Sequence, residues 1–464
     1  MNREQVGEIS IHENMLITPK RLWITASVLL ELAFFSAGFF VLLPFLTLST
    51  RLNWLTFDLT WPVTLILGLT TYVLVTTYAT GRIPTRHYKQ QSLFTGAGIT
   101  LIGILALWLS ETPALSGPQT LWFVIGGALL MAGARLVSAV IKSYLHHFTT
   151  QQNVGLFLGV HCGASIVAAI IALLYISTQA WSPETNQNLF NTLCHIVPLS
   201  TGAVTVLIAL AACHLSRNNE TPTSDEGKTQ ALWKNLTHAG RELRKTLSLR
   251  YLLLSRLFCS FAFSLTGFLV LNIVIDVLGW TYFQIACLAL GVGASWAVGA
   301  ACAGYADSRT GARAALGFGT FLGILLLLGL NSVLPGETQL AATKNVWETT
   351  VWITALTLLG STCLGFLNVA NDTLIARFSS SKDFLLWFGG SMIVTTSAFL
   401  LAALVLVTLV LTDNVGTTTY LAIATGCFSL LLLKPVKSDI SLIIHADTSL
   451  TRAYPLNMSG SYAF

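Results

Sequence analysis

The chain has 464 residues, 54% of them apolar and only 10% charged, with a mean hydropathy of +0.70 and a formal net charge of +5. That balance excludes an ordinary soluble globular protein and makes the bilayer the solvent in which the chain must fold. The small positive excess reads as an orientation signal rather than a nucleic-acid footprint.

On a ruler of about 20 apolar residues per span, the chain holds about 12 apolar runs, at about 22–49, 59–80, 92–110, 120–144, 154–178, 191–214, 251–275, 281–305, 314–335, 350–376, 385–411 and 416–434. The prediction is an all-α integral membrane protein with 12 transmembrane helices in two six-helix halves. The first run follows Lys20 and Arg21 and is longer than the apolar core of a cleavable signal, so it is read as a retained span. Basic residues then alternate with the spans. Lys20, Arg21, Arg82, Arg86, Lys89, Lys142, Arg241, Arg309, Arg313, Arg377 and Lys434 fall on one side with others, against only Arg51 and Lys344 on the opposite side. This asymmetry predicts a multi-pass protein of the plasma (inner) membrane with both termini in the cytoplasm.

The expected organisation is a cytoplasmic N-terminal segment (1–21), an N-terminal six-helix half (22–214), a cytoplasmic linker (215–250), a C-terminal six-helix half (251–434) and a cytoplasmic tail (435–464). In the linker, Trp233, Leu236, Leu243 and Leu247 recur at helical spacing beside Lys234, Arg241, Arg244 and Lys245. That pattern suits a basic amphipathic helix on the inner leaflet, with partner binding as the alternative. All eight cysteines fall within apolar runs and none has metal-ligand or redox spacing, so neither a metal nor a disulfide is expected, and no cofactor is implied. Gly155, Gly159 and Gly163 in the fifth run, and Gly291, Gly293 and Gly299 in the eighth, have the spacing that lets helices approach closely in lipid.

A short polar stretch occurs twice, each time between the second and third spans of a half. The first copy runs from Gly81 through Thr85, Arg86 and Tyr88 to Lys89; the second runs from Gly304 through Asp307, Arg309 and Gly311 to Arg313. Their separation of about 223 residues is the sign of an internal repeat. These loops resemble the glycine-acid-base signature of the major facilitator superfamily. The second copy matches through Gly304, Asp307, Arg309, Gly311 and Arg313, with the Asp one residue early. In the first, Gly81, Arg86 and Lys89 match, while Thr85 stands at the acidic position and Tyr88 at the second glycine. The resemblance implies two pseudo-symmetric halves that rock about a central cavity. It also implies that the loop acts as a latch, with a carboxylate pairing an arginine or facing a helix N-terminus. With Thr85 in the first copy, Asp307 is expected to carry more of that latch.

The first span, with Glu31 followed by Gly38 to Pro44, is similar to the first helix of bacterial drug:proton antiporters. Some members of that branch have a Gly-Pro pair in the fifth helix, where this chain has Gly163 and Ala164. Two ionisable residues lie deep in apolar runs, Glu31 in the first span and Arg135 in the fourth. At 1.5 Å per residue Glu31 should lie roughly 15 Å in, and Arg135 roughly 22 Å from the outer surface. The expectation is that they face each other in the first half, as a proton-coupling and substrate site or as a structural pair fixing helix orientation.

Weaker candidates are His161 in the fifth span, which either titrates or is a satisfied hydrogen-bonding residue, and Asn368, Asn371 and Asp372 in the tenth, a gate or an interfacial cap. Arg256 and Asp276, near the ends of the seventh span, are expected to snorkel to water as anchors. Trp280, Trp296, Trp352 and Trp387 divide between interfacial belt and cavity wall.

No nucleotide-binding motif is present, which points away from ATP as the energy source. The expected function is secondary transport of a small molecule, with proton-coupled export of an amphipathic or drug-like compound first and proton-coupled uptake of a nutrient second. The implied partners are that small molecule, protons and the lipid bilayer, with no nucleic acid and a monomeric state. A membrane-embedded transferase is disfavoured, because His146 and His147 have no close acidic partner in the sequence.

Overall fold

The computed structural model describes residues 22–36, 38, 60–82, 89–110, 119–146, single residues between 155 and 170, 187–217, 241, 243, 246–274, 278–280, 282–333, 346–378, 384–411 and 417–436. In lipid every backbone N–H and C=O must be paired within its own segment, so apolar runs become helices. The helices in chain order are α1 (Leu22–Ser36), α2 (Thr60–Arg82), α3 (Lys89–Leu109), α4 (Gln119–His146), α5 (described between 155 and 170) and α6 (Gln187–Arg217). The second half supplies α7 (Leu247–Asn272), α8 (Tyr282–Thr310), α9 (Ala312–Val333), α10 (Val346–Phe378), α11 (Phe384–Leu411) and α12 (Thr417–Leu432). Among the described residues, 8 helices are long and apolar enough to cross a membrane, and α1, α2 and α12 contribute shorter apolar segments. Within the spans Thr100 and Thr320 donate to the carbonyls of Gly96 and Leu316 one turn back, at 2.8 Å.

Large apolar side chains stand exposed on α3 (Ile102, Leu105), α6 (Leu207), α9 (Phe318, Phe321) and α12 (Leu431), and also on α2 (Leu74), α8 (Val298), α10 (Leu359) and α11 (Leu401), as expected of helices that face lipid. In the first half α3 and α4 meet at glycines, where a Cβ on Gly103 would lie 2.9 Å from the Gly126 carbonyl oxygen. In the second half Ser255 of α7 donates to the Ser429 carbonyl of α12 at 3.0 Å, and Ser429 returns the bond at 2.8 Å.

Two seams join the halves. Along one, α11 packs on α2 and α4. Along the other, Gly159 and Gly163 of α5 lie on Ala300, Gly304 and Ala297 of α8, and a Cβ on Gly159 would fall 2.5 Å from the Ala300 carbonyl oxygen. Further along this seam Ile166 and Ile170 of α5 pack with Ala297 and Phe35. The opposite face of α8 is equally close to α10, with Gly299 against the Thr362 carbonyl and Gly365 against that of Trp296. A helix with small residues on two faces is thus held between both neighbours. One core cluster runs across the halves, from Trp23, Leu30 and Val137 to Ala300, Val369 and Met392.

Candidate functional site

The first half places its charges between α1 and α4. Glu31 lies nine residues after Leu22, with its side chain 8% exposed. Its Oε1 meets Lys142 Nζ at 2.5 Å and accepts a hydrogen bond from Ser138 Oγ at 3.0 Å, while Oε2 lies 3.5 Å from Arg135 Nη1. Ser138 and Lys142 are one helical turn apart, so one face of α4 presents both to the same carboxylate. Lys142, expected at the cytoplasmic surface as an orientation residue, is instead buried. Side chains lean toward the N-terminus of their helix. On the antiparallel pair α1 and α4, that lean carries Glu31 and Lys142 toward each other.

The second half repeats this arrangement with the signs exchanged. Arg256 lies nine residues after Leu247, the first residue of α7. Its Nη1 meets Asp372 Oδ1 of α10 at 2.5 Å, Nη2 lies 3.5 Å from Asn368 Oδ1, and Nε donates to Thr395 Oγ1 of α11 at 2.8 Å. Asn368 and Asp372 are again one turn apart. Arg256, expected to snorkel to water as an anchor, is buried and paired. The reason is that a carboxylate on a neighbouring helix stands at the same depth, which sequence alone does not reveal.

Between these clusters Arg135 keeps 29% of its side-chain exposure and Asp372 keeps 21%. The Arg135 guanidinium sits 4.7 Å above the Phe34 ring and interacts electrostatically with Glu31, with Tyr72 of α2 and, from the other half, with Asp372. Tyr72 is in turn within hydrogen-bonding reach of Thr396 on α11. The half-open guanidinium of Arg135 thus stands near groups from both halves, Glu31 of α1, Tyr72 of α2 and Asp372 of α10.

A third pair sits where α8 ends. Arg377 Nη1 and Nη2 donate to Asp307 Oδ1 and Oδ2, both at 2.8 Å, and the two side chains are 4% and 1% exposed. The parallel fork geometry is the strong form of this pair. Asp307 also lies against Gly155 at the start of α5, where any side chain would collide with the carboxylate. Arg377, counted among the surface orientation residues, is therefore a buried partner. Gly311, with φ of 83°, turns the chain between α8 and α9, and its N–H bonds the Asp307 carbonyl at 3.0 Å. That left-handed position favours glycine. Gly304 has a different task, lying under the Gly155 carbonyl.

The remaining candidates separate. Arg309 is exposed with its guanidinium 5.5 Å from the Tyr305 ring, and Arg313 donates to the Lys434 carbonyl at 3.1 Å. Asn371 is buried and bonds the Leu367 carbonyl at 3.0 Å, away from the Arg256 cluster. Gly81 lies in the last turn of α2, while the side chains of Arg86, Lys89, His161, Asp276 and Trp387 lie outside the described residues. Trp280 packs with Val270 and Val274, Trp296 with Ile166 and Ala297, and Trp352 is exposed. Sequence reasoning missed Lys142, Arg256 and Arg377 as interior groups. For Lys142 the available signal was Ser138 one turn earlier on the same span; Arg256 carries no such mark.

Apolar helices in two like halves, with paired charges buried within each half, are the architecture of a polytopic membrane protein. The Major Facilitator Superfamily model matches residues 27–385, and the chain belongs to that family. The sequence matches none of the curated proteins with which it was compared. Among solved structures, a bacterial homologue of the iron transporter ferroportin in an outward-facing state is similar with a TM-score of 0.65 and 12% identity, over 89% of this chain and 98% of that one. The E. coli fucose:proton symporter gives 0.62 and 15% over 91% and 99%. The human organic anion transporter MFSD10 gives 0.60 and 11% over 90% and 100%. These likenesses concern the fold.

Proposed function

We propose that this transporter is driven by protons, with Glu31 as the carboxylate that takes up and releases them, and that it exports a small amphipathic compound. The observation that carries this reading is the set of partners around Glu31: Lys142, Ser138 and Arg135 on α4, all bound to a single carboxylate. Cys162 of α5 is a further titratable group nearby. When Glu31 is charged, it ties α1 to α4 by two ion pairs. Protonation removes the charge that holds Lys142 and Arg135, so the α1–α4 contact loosens and Arg135 is released toward the interior. A substrate group that competes for Arg135 would act in the same direction, which couples the two events. Water and substrate reach the site from one side at a time as the halves rock.

The Asp307–Arg377 pair and the glycine seam of α5 on α8 form the clasp in this reading. They close the end of the bundle that the basic residues assign to the cytoplasm. The similarity of the first span to drug:proton antiporters supports export. Uptake by proton symport is the second reading, supported by the fold shared with the fucose symporter.

In vesicles, Glu31→Gln is expected to abolish transport driven by a pH gradient while leaving the protein folded, at a lower unfolding temperature because Lys142 loses its counter-charge. Unchanged proton-driven transport in that variant would sink the proposal. Counterflow in oriented vesicles, with and without a pH gradient, separates export from uptake.

A further inference from the structure

Among the described residues, the charges between α1, α4, α7 and α10 do not balance. Between α1, α4, α7 and α10 the described residues place three cations, Arg135, Lys142 and Arg256, against two carboxylates, Glu31 and Asp372. The Asp307–Arg377 pair is neutral as a unit and lies apart, at the end of α8. Each carboxylate already has its close partner, since Lys142 and Arg256 both approach to 2.5 Å. Arg135 is the remaining cation, and it is also the one that is open. Its side chain is 29% exposed, against 5% for Lys142 and 8% for Arg256.

A guanidinium has five N–H donors in a planar fork. The contact of Arg135 with Glu31, at 3.5 Å, is longer than a strong charge-assisted bond and leaves most of that fork unused. One face of the guanidinium is covered by Phe34, and Tyr72 of α2, itself within reach of Thr396 on α11, stands near it. An unmatched positive charge away from bulk water is costly unless something pairs with it. A carboxylate or similar anion on an incoming molecule supplies both the missing charge and acceptors for the fork.

We infer that the substrate of the interior site bears an anionic group, which Arg135 binds directly, with the apolar part of the molecule against the Phe34 and Tyr72 side of the space. This rests on the transport reading above, and it names the chemical class that the site takes.

The test is equilibrium binding to the full-length purified protein without a pH gradient, followed by thermal unfolding. The probes are 3-phenylpropionate, its uncharged amide, and 3-phenylpropylammonium. The carboxylate is expected to raise the unfolding temperature saturably, while the amide and the ammonium do not. Loss of a charge-assisted hydrogen bond should weaken carboxylate binding about tenfold in Arg135→Gln. Glu31→Gln should have the opposite sign and strengthen it, because it removes a competing anion; this second variant keeps the test informative if Arg135→Gln folds poorly. Equal stabilisation by the amide or the ammonium would overturn the inference. So would no stabilisation by the carboxylate, weakened carboxylate binding in Glu31→Gln, or undiminished binding in Arg135→Gln. Because no gradient is used, carboxylate binding that passes these tests beside unimpaired proton-driven transport in Glu31→Gln would count against the coupling role alone.

Discussion

The two halves hold the same ion pair with the polarity reversed. In the first, the acid is on the opening helix and the base on the fourth; in the second, Arg256 is on the opening helix and Asp372 on the fourth. In each, a neutral polar residue one turn earlier on the fourth helix, Ser138 or Asn368, contacts the same charge. The difference is redundancy. Glu31 has a second cation in its own half, Arg135, whereas Arg256 has neutral groups as its other partners, Thr395 and Asn368. A carboxylate with a reserve cation can lose one contact and keep a counter-charge, which suits a site that changes partners. A pair without one suits a fixed joint.

The largest effect expected from this contrast is on removing Asp372. Asp372→Asn leaves Arg256 buried without a counter-charge and should cost about 3–5 kcal/mol of stability. Lys142→Met should cost less, about 2 kcal/mol, because Arg135 remains for Glu31 and uncompensated burial is only partial. Thermal unfolding of the purified variants measures both; a larger loss from Lys142→Met would break the comparison.

The doubled loop offers a second contrast. Asp307→Asn removes a buried bidentate pair and should cost about 3 kcal/mol and most of the transport rate. Thr85→Ala, at the corresponding place in the first copy of the motif, should change transport by no more than about twofold, because it removes no charge. Equal losses in a vesicle transport assay would show that both loops act as clasps.

A smaller effect tests the seam. Gly159→Ala places a methyl group against the Ala300 carbonyl and should cost about 2 kcal/mol by overpacking. Gly360→Ala, where nothing lies within contact of the added carbon, should be nearly neutral. The smallest difference separates the polar neighbours. Ser138→Ala gives up a 3.0 Å hydrogen bond to a charged group and should cost about 1.5 kcal/mol. Asn368→Ala loses a contact of 3.5 Å and should cost about 0.5 kcal/mol, since such a long bond contributes little.

The helical membrane architecture, and the separation into halves, were legible from the apolar runs and the doubled loop, because lipid leaves a chain few ways to satisfy its backbone. Glu31 and Arg135 were legible as deep charges, since each stands far from both ends of its run. Lys142, Arg256 and Arg377 were read as surface residues for a physical reason. Long basic side chains near a span end reach water as readily as they reach inward, and the choice depends on what faces them. The acidic partner in each case comes from another helix: Glu31, Asp372 and Asp307.

By itself the sequence determined the solvent of this protein, its helices and the repeat, because hydropathy and turn chemistry act locally along the chain. Only the tertiary structure decided which charges are interior, which helices they tie together and which cation remains open. Pairing depends on depth and facing across separate helices, and the rotation of each helix is set by its neighbours rather than by its own residues.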